Sequence, residues 1–219
     1  MEPEIVVRGT AEARALPDRA RLRVDITADH RAQDKAYEAR GEIAARVDGV
    51  LATHADAIDR ATVAGLRVQP RTRWANGRQV HEGWRASRTT LVELVGLDAL
   101  GPLMAGLVEA GAAVTGPEWT LAPTNPAHAE ARRAAAEDAR QRAAAYAEAL
   151  GLELGPVAWV SEPGLRPDVP AGGGAQVGRV LGFATAAARG AAEEPEPAED
   201  LSASEMTVEA AVEVGFRLL

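Results

Sequence analysis

The chain contains no cysteine, which excludes disulfides, thiolate metal sites and cysteine nucleophiles. It has four serines (Ser87, Ser161, Ser202 and Ser204), and none lies in the G-x-S-x-G elbow that presents a nucleophile above a sheet. Lysine occurs once, Lys35, against 23 arginines, a bias that suggests a GC-rich genome and not selection for function. The opening MEPEIVVRGT has neither a basic n-region nor an apolar h-region, so no secretory signal is expected and a cytoplasmic location is. The longest apolar stretches are alanine runs broken by charge, far short of the ~20 residues a membrane span needs.

The remainder is ordinary for a globular protein. Of 219 residues, 47% are apolar and 26% charged, which suits one sizeable domain with a real core. The net charge of −8 argues against bulk affinity for nucleic acid or anionic membrane, so any such binding has to be local. The histidines, His30, His54, His81 and His128, fall on different elements without ligand spacing, and no metal or cofactor is expected. GGGAQVG, from Gly172 to Gly178, matches neither the dinucleotide nor the Walker pattern and follows proline-rich chain; it reads as a flexible loop. No catalytic constellation emerges, and the chain is read as a non-enzyme.

Periodicity organises the chain. Val7 to Ala15 and Ala20 to Ala28 alternate apolar with polar residues, which predicts two half-buried strands joined by a turn at LPDR. From about Gln33 to Ile58, Ala36, Ile43, Val47, Val50 and Ile58 recur at helical steps. Strands follow over Val63 to Trp74 and Trp84 to Val95, joined through Asn76-Gly77 by a loop expected to exceed two residues. Asp98 is expected to cap a short helix ending near Gly111, and a strand runs from Ala113 to Leu121. Asn125-Pro126 opens an alanine-rich helix with Ala131, Ala135, Ala139, Tyr146 and Leu150 on one side, closed by Gly151. Strands over Val157 to Val160 and Val208 to Leu218 complete a ββαββαβαββ order.

The pattern predicts an α+β fold: a mostly antiparallel sheet with one long, one short and one alanine-rich helix packed on it. Residues 1–219 are taken as a single domain. The proline-, glycine- and acid-rich stretch 163–204 is expected to be a flexible loop before the last strand, apart from local docking by VGRVLGF.

One stretch stands out. RVQPRTRWANGRQVHEGWRASR, residues 67–88, gathers six arginines, one histidine and two tryptophans. Arg67, Gln69, Arg71 and Arg73 form an outward row because Leu66, Val68, Thr72 and Trp74 alternate with them. Arg67, Arg71, Arg73, Trp74, Arg78, Trp84, Arg85 and Arg88 are the candidate interaction surface. A solvated or self-complementary strand face is the favoured reading. Binding of nucleic acid or another anionic ligand is the alternative, since aromatics beside cations bind single strands.

The order of elements and landmarks resembles the SIMPL-domain family. IVVRGTAEARALPDRARLRVDI is similar to its opening strand pair, with V-x-G-x-G/A and P-D. Val68, Pro70, Trp74, Gly83 and Trp84 occupy the places of its central hairpin. LVEAGAAVTGPEWTL and the alanine-rich helix through VAWVSE resemble its later elements. The likeness covers about residues 4–162 and the last strand. It implies an α+β domain found in bacterial periplasmic or envelope proteins, some forming ring-like homo-oligomers, and in an animal signalling adaptor. No family-wide catalytic residues carry over, and the expectation of no signal peptide departs from the bacterial pattern. The expected function is non-catalytic: contact with an unknown protein partner, or assembly into a homo-oligomer.

Overall fold

The computed structural model describes residues 3–75, 77–166 and 203–219. The expected flexible loop, including VGRVLGF, falls mostly on 167–202 and so lies outside the described residues. The observed order is β1 (Glu4–Ala15), β2 (Arg19–His30), α1 (Gln33–Thr53), β3 (Ile58–Ala75), β4 (Arg78–Leu94), α2 (Leu100–Glu109), β5 (Ala113–Thr120), α3 (Pro126–Ala149), β6 (Leu154–Ser161) and β7 (Met206–Leu218). This is the expected α+β order of elements. The strands divide between two sheets, however, and β1 and β2, read from sequence as an opening pair, belong to different ones.

Packing separates two compact units. The larger holds β2 to β5 with α1 and α2. Its sheet runs β3-β4-β2-β5, with β2–β4, β2–β5 and β3–β4 all antiparallel. The period of two in β2 buries Ala20, Leu22, Val24 and Ile26 on one face, and Val92 and Leu94 of β4 join them. Val47 and Leu51 of α1 and Leu100, Leu103 and Leu107 of α2 close over that face. The other face of the sheet carries the polar half of each alternation and no helix of this unit.

Three local expectations are corrected here. α1 ends at Thr53, and Ile58, expected on its apolar face, instead opens β3. Asp98 makes no cap: a short 3-10 turn, Leu97–Ala99, leads the chain into α2 without a side-chain hydrogen bond. The β3–β4 ladder extends to Ala75↔Arg78, so only Asn76 and Gly77 connect the strands, where a longer loop was expected. Gly77 has φ of 75°, the left-handed conformation that a two-residue hairpin turn demands.

The smaller unit is a β1-β7-β6 sheet with α3. α3 buries Ala127, Ala131, Ala135, Ala139, Ala143 and Ala147, an unbroken stripe of small residues at steps of four. The same stripe excludes Tyr146 and Leu150, expected on the apolar side but 59% and 67% exposed. The reason is proximity. A Cβ built on Gly9 of β1 would lie 2.6 Å from the Ala139 nitrogen and closer still to the Ala135 carbonyl oxygen. At that spacing nothing larger than alanine fits beneath the helix.

Candidate functional site: an arginine hairpin at a sheet edge

The β3–β4 hairpin lies at the edge of the larger sheet. β3 is 18 residues long, and among the described residues nothing pairs with its outer side. The ladder register sorts its arginines by face. Gln69↔Arg85 and Asp29↔Arg85 place Arg85 on the helix-free face, and Arg67↔Ser87↔Thr27 places Arg67 there too. Leu66↔Arg88↔Ile26 puts Arg88 on the opposite, helix-packed face, because Ile26 belongs to the core.

Most of these cations are already matched. Arg85 grips Asp29 with two hydrogen bonds, Nε at 2.8 Å and Nη2 at 2.7 Å, and Arg71 reaches the same carboxylate at 2.8 Å. Arg73 pairs with Glu82 at 2.7 Å. Arg88, with its side chain 14% exposed, forks onto Asp48 of α1 at 2.9 and 2.7 Å. Hydrogen bonds from Arg85 hold the Asp29 carboxyl below the usual carboxylate range; partial burial opposes them, and the Arg85 and Arg71 charges reinforce them. The hydrogen bond to Asp48 raises the Arg88 guanidinium correspondingly.

The candidate surface is therefore not one basic patch. Arg71, Arg73 and Arg85 gather around Asp29 and Glu82, whereas Arg88 is tied to α1 across the sheet. Arg67 and Arg78 are exposed and have no ion pair among the described residues. The row read as inward is also revised: Val68 is half-buried, but Leu66 is 55% and Trp74 75% exposed, because the edge strand runs past the helix cover. Trp84 is half-buried, with its ring edge-on to His81 at 5.7 Å. Asp29 and Asp48 are the partners sequence reasoning missed. Asp29 carried a signal, since it continues the outward row of β2; Asp48 carried none.

The hairpin's landmarks have structural causes. Gly83, at φ of 145°, brings its backbone so near β2 that an added Cβ would stand 2.6 Å from the His30 carbonyl oxygen. Residues 5–216 match the family described as SIMPL, Protein of unknown function (DUF541). The chain belongs to the SIMPL family. Among curated relatives, Uncharacterized protein YggE of Escherichia coli (strain K12) is 31% identical over 156 residues, which cover 71% of this chain and 63% of that protein. The protein of the same name from Edwardsiella ictaluri (strain 93-146) is 30% identical over 164 residues, covering 71% and 66%. The chain thus spans less than two thirds of these SIMPL relatives' length. No described helix is long and apolar enough to cross a membrane, and no cluster of three or more His, Asp or Glu among the described residues could hold a metal.

Proposed function

We propose that this SIMPL protein is non-catalytic and acts through protein contacts, self-association first, with the β3 edge of the hairpin as the contact element. The carrying observation is the strand itself. An edge of 18 residues whose outer side pairs with nothing among the described residues is a template for adding another strand, and it exposes Val63 at 53%, Leu66 at 55% and Trp74 at 75%. Pro70 removes one N–H from that strand, and the arginines of its helix-free face limit pairing with the wrong partner.

Light scattering of the full chain at micromolar concentration tests the reading. The native protein is expected above monomer mass, and Val63→Lys with Leu66→Lys is expected to return it to monomer with its circular dichroism unchanged. A native monomer at both low and high salt refutes the proposal. The exposed Trp74 at the hairpin tip, one rung from Arg78, which has no ion pair among the described residues, favours a second reading, stacking of a single-stranded nucleic acid there. That reading requires oligonucleotide affinity to fall steeply with salt and to be lost in Trp74→Ala.

A further inference from the structure

We propose that a cavity of about 500 Å3 on the helix-free face of the larger sheet binds a small phosphate monoester. This goes beyond the contact role, although β3 serves both: Arg67 and Leu66 of that strand line the cavity. Its lining comes from β2, β3 and β4, and its chemistry follows from three alternate rungs of the ladder, those that share this face.

In the first rung Asp25↔Thr89↔Gly65, the acceptor is spent: the Thr89 hydroxyl donates to Asp25 at 2.5 Å and Arg23 Nε donates at 2.7 Å. In the third rung Asp29↔Arg85↔Gln69, the carboxylate is equally occupied by Arg85. The middle rung Thr27↔Ser87↔Arg67 is different. None of its three side chains has a hydrogen bond or ion pair among the described residues, nor does the Gln69 amide beside it. The cavity thus sets one satisfied carboxylate, Asp25, beside unused donors: one guanidinium, two hydroxyls and one amide.

Such a set suits a group that only accepts, carries negative charge and offers several oxygens. A phosphate monoester has three terminal oxygens and matches a planar guanidinium in bidentate fashion. The space exists because Gly65 contributes no side chain, and a Cβ built there meets nothing within 4 Å. The volume lies within the range of small-molecule sites and leaves room for a ligand body beside the phosphate.

Titration of the full chain with glucose 6-phosphate, with glucose and inorganic phosphate as comparators, decides the matter by calorimetry and amide chemical shifts. Saturable binding of glucose 6-phosphate is expected, with no response to glucose. Arg67→Ala should weaken it about tenfold, near 1.4 kcal/mol. Gly65→Leu, which fills the space without changing charge, should weaken it as much, and Arg14→Ala, at an exposed arginine of β1, should leave it unchanged. If Gly65→Leu fails to fold, Arg67→Ala against Arg14→Ala still decides. Absence of saturation, an equal response to glucose, or equal losses in the two arginine variants overturns the proposal. So does binding of oligonucleotides alone, with a steep salt slope. Light scattering in the same buffers keeps a failure of self-association separate from a failure of this site.

Discussion

Replacing Gly9 by alanine adds one methyl where the structure leaves no room for it. The new Cβ would stand 2.6 Å from the Ala139 nitrogen and 2.7 Å from the Ala139 Cβ, whereas real Cβ atoms essentially never come within 3.0 Å of a neighbour. The Ala135 carbonyl oxygen is nearer still, and all three atoms belong to the helix, so relief requires α3 to lift by about one ångström. A gap of that size forfeits about half of each contact beneath the helix. Six alanine methyls lie in that seam, each worth about 0.8 kcal/mol when buried. The loss is then about 2.4 kcal/mol. Stiffening of the unfolded chain returns about 0.4–1 kcal/mol. A net destabilisation of about 1.5–2 kcal/mol remains. In a urea titration with a slope of about 2 kcal/mol/M the midpoint should fall by roughly 0.5–1 M without a change of slope. Gly41→Ala in α1 is the matched control. Its added Cβ meets nothing within 4 Å, so the midpoint should rise, by about 0.5–1 kcal/mol of stability. The reasoning fails if Gly9→Ala keeps or raises the midpoint, or if both variants shift it in the same direction.

The same seam shows what the sequence could and could not disclose. Element order was legible because alternation in β2 and helical steps in α1 are local properties. Tyr146 and Leu150 were misplaced because size was taken as a guide to burial, whereas the approach of Gly9 to α3 admits only alanine. Arg40 went unnoticed for the complementary reason. It occupies the inward row between Ala36 and Ala44 of α1, 8% exposed, with its guanidinium stacked 4.5 Å from the Tyr37 ring centroid. The candidate surface divides likewise. That Arg67, Gln69, Arg71 and Arg73 share a face follows from a period of two. Which arginines remain uncompensated depends on long-range register: Arg85 meets Asp29 only because β2 pairs with β4, and Arg88 meets Asp48 only because α1 crosses that end of the sheet. Six arginines in 22 residues therefore overstate the basic character of the hairpin.

Two predictions follow from that compensation. Asp48→Ala strips a largely buried guanidinium of both its bonds and should destabilise the fold by about 1–2 kcal/mol, while Arg88→Met with Asp48→Ala should recover much of the loss. A double-mutant cycle by urea denaturation measures this, and a coupling within 0.3 kcal/mol of zero counts against the pair. The second concerns acid. Asp18, Asp25 and Asp29 all have their pKa lowered below the ordinary 3.8. For Asp18 and Asp25 burial pushes upward, but hydrogen bonds outweigh it: Asn125 and the Ala122 amide on Asp18, Arg23 and Thr89 on Asp25. A carboxyl with a depressed folded value binds protons more readily when unfolded. It therefore contributes stability that is fully present above about pH 4 and is lost as pH falls through the folded value. The urea midpoint should hold level from pH 7 to 5 and fall below about pH 4. Asp29→Asn should start lower and lose less over that interval, because the proton it would have taken up no longer matters. A midpoint that rises between pH 5 and 3, or an Asp29→Asn slope identical to the native one, would show that the Asp29 pairs with Arg71 and Arg85 contribute nothing to the fold.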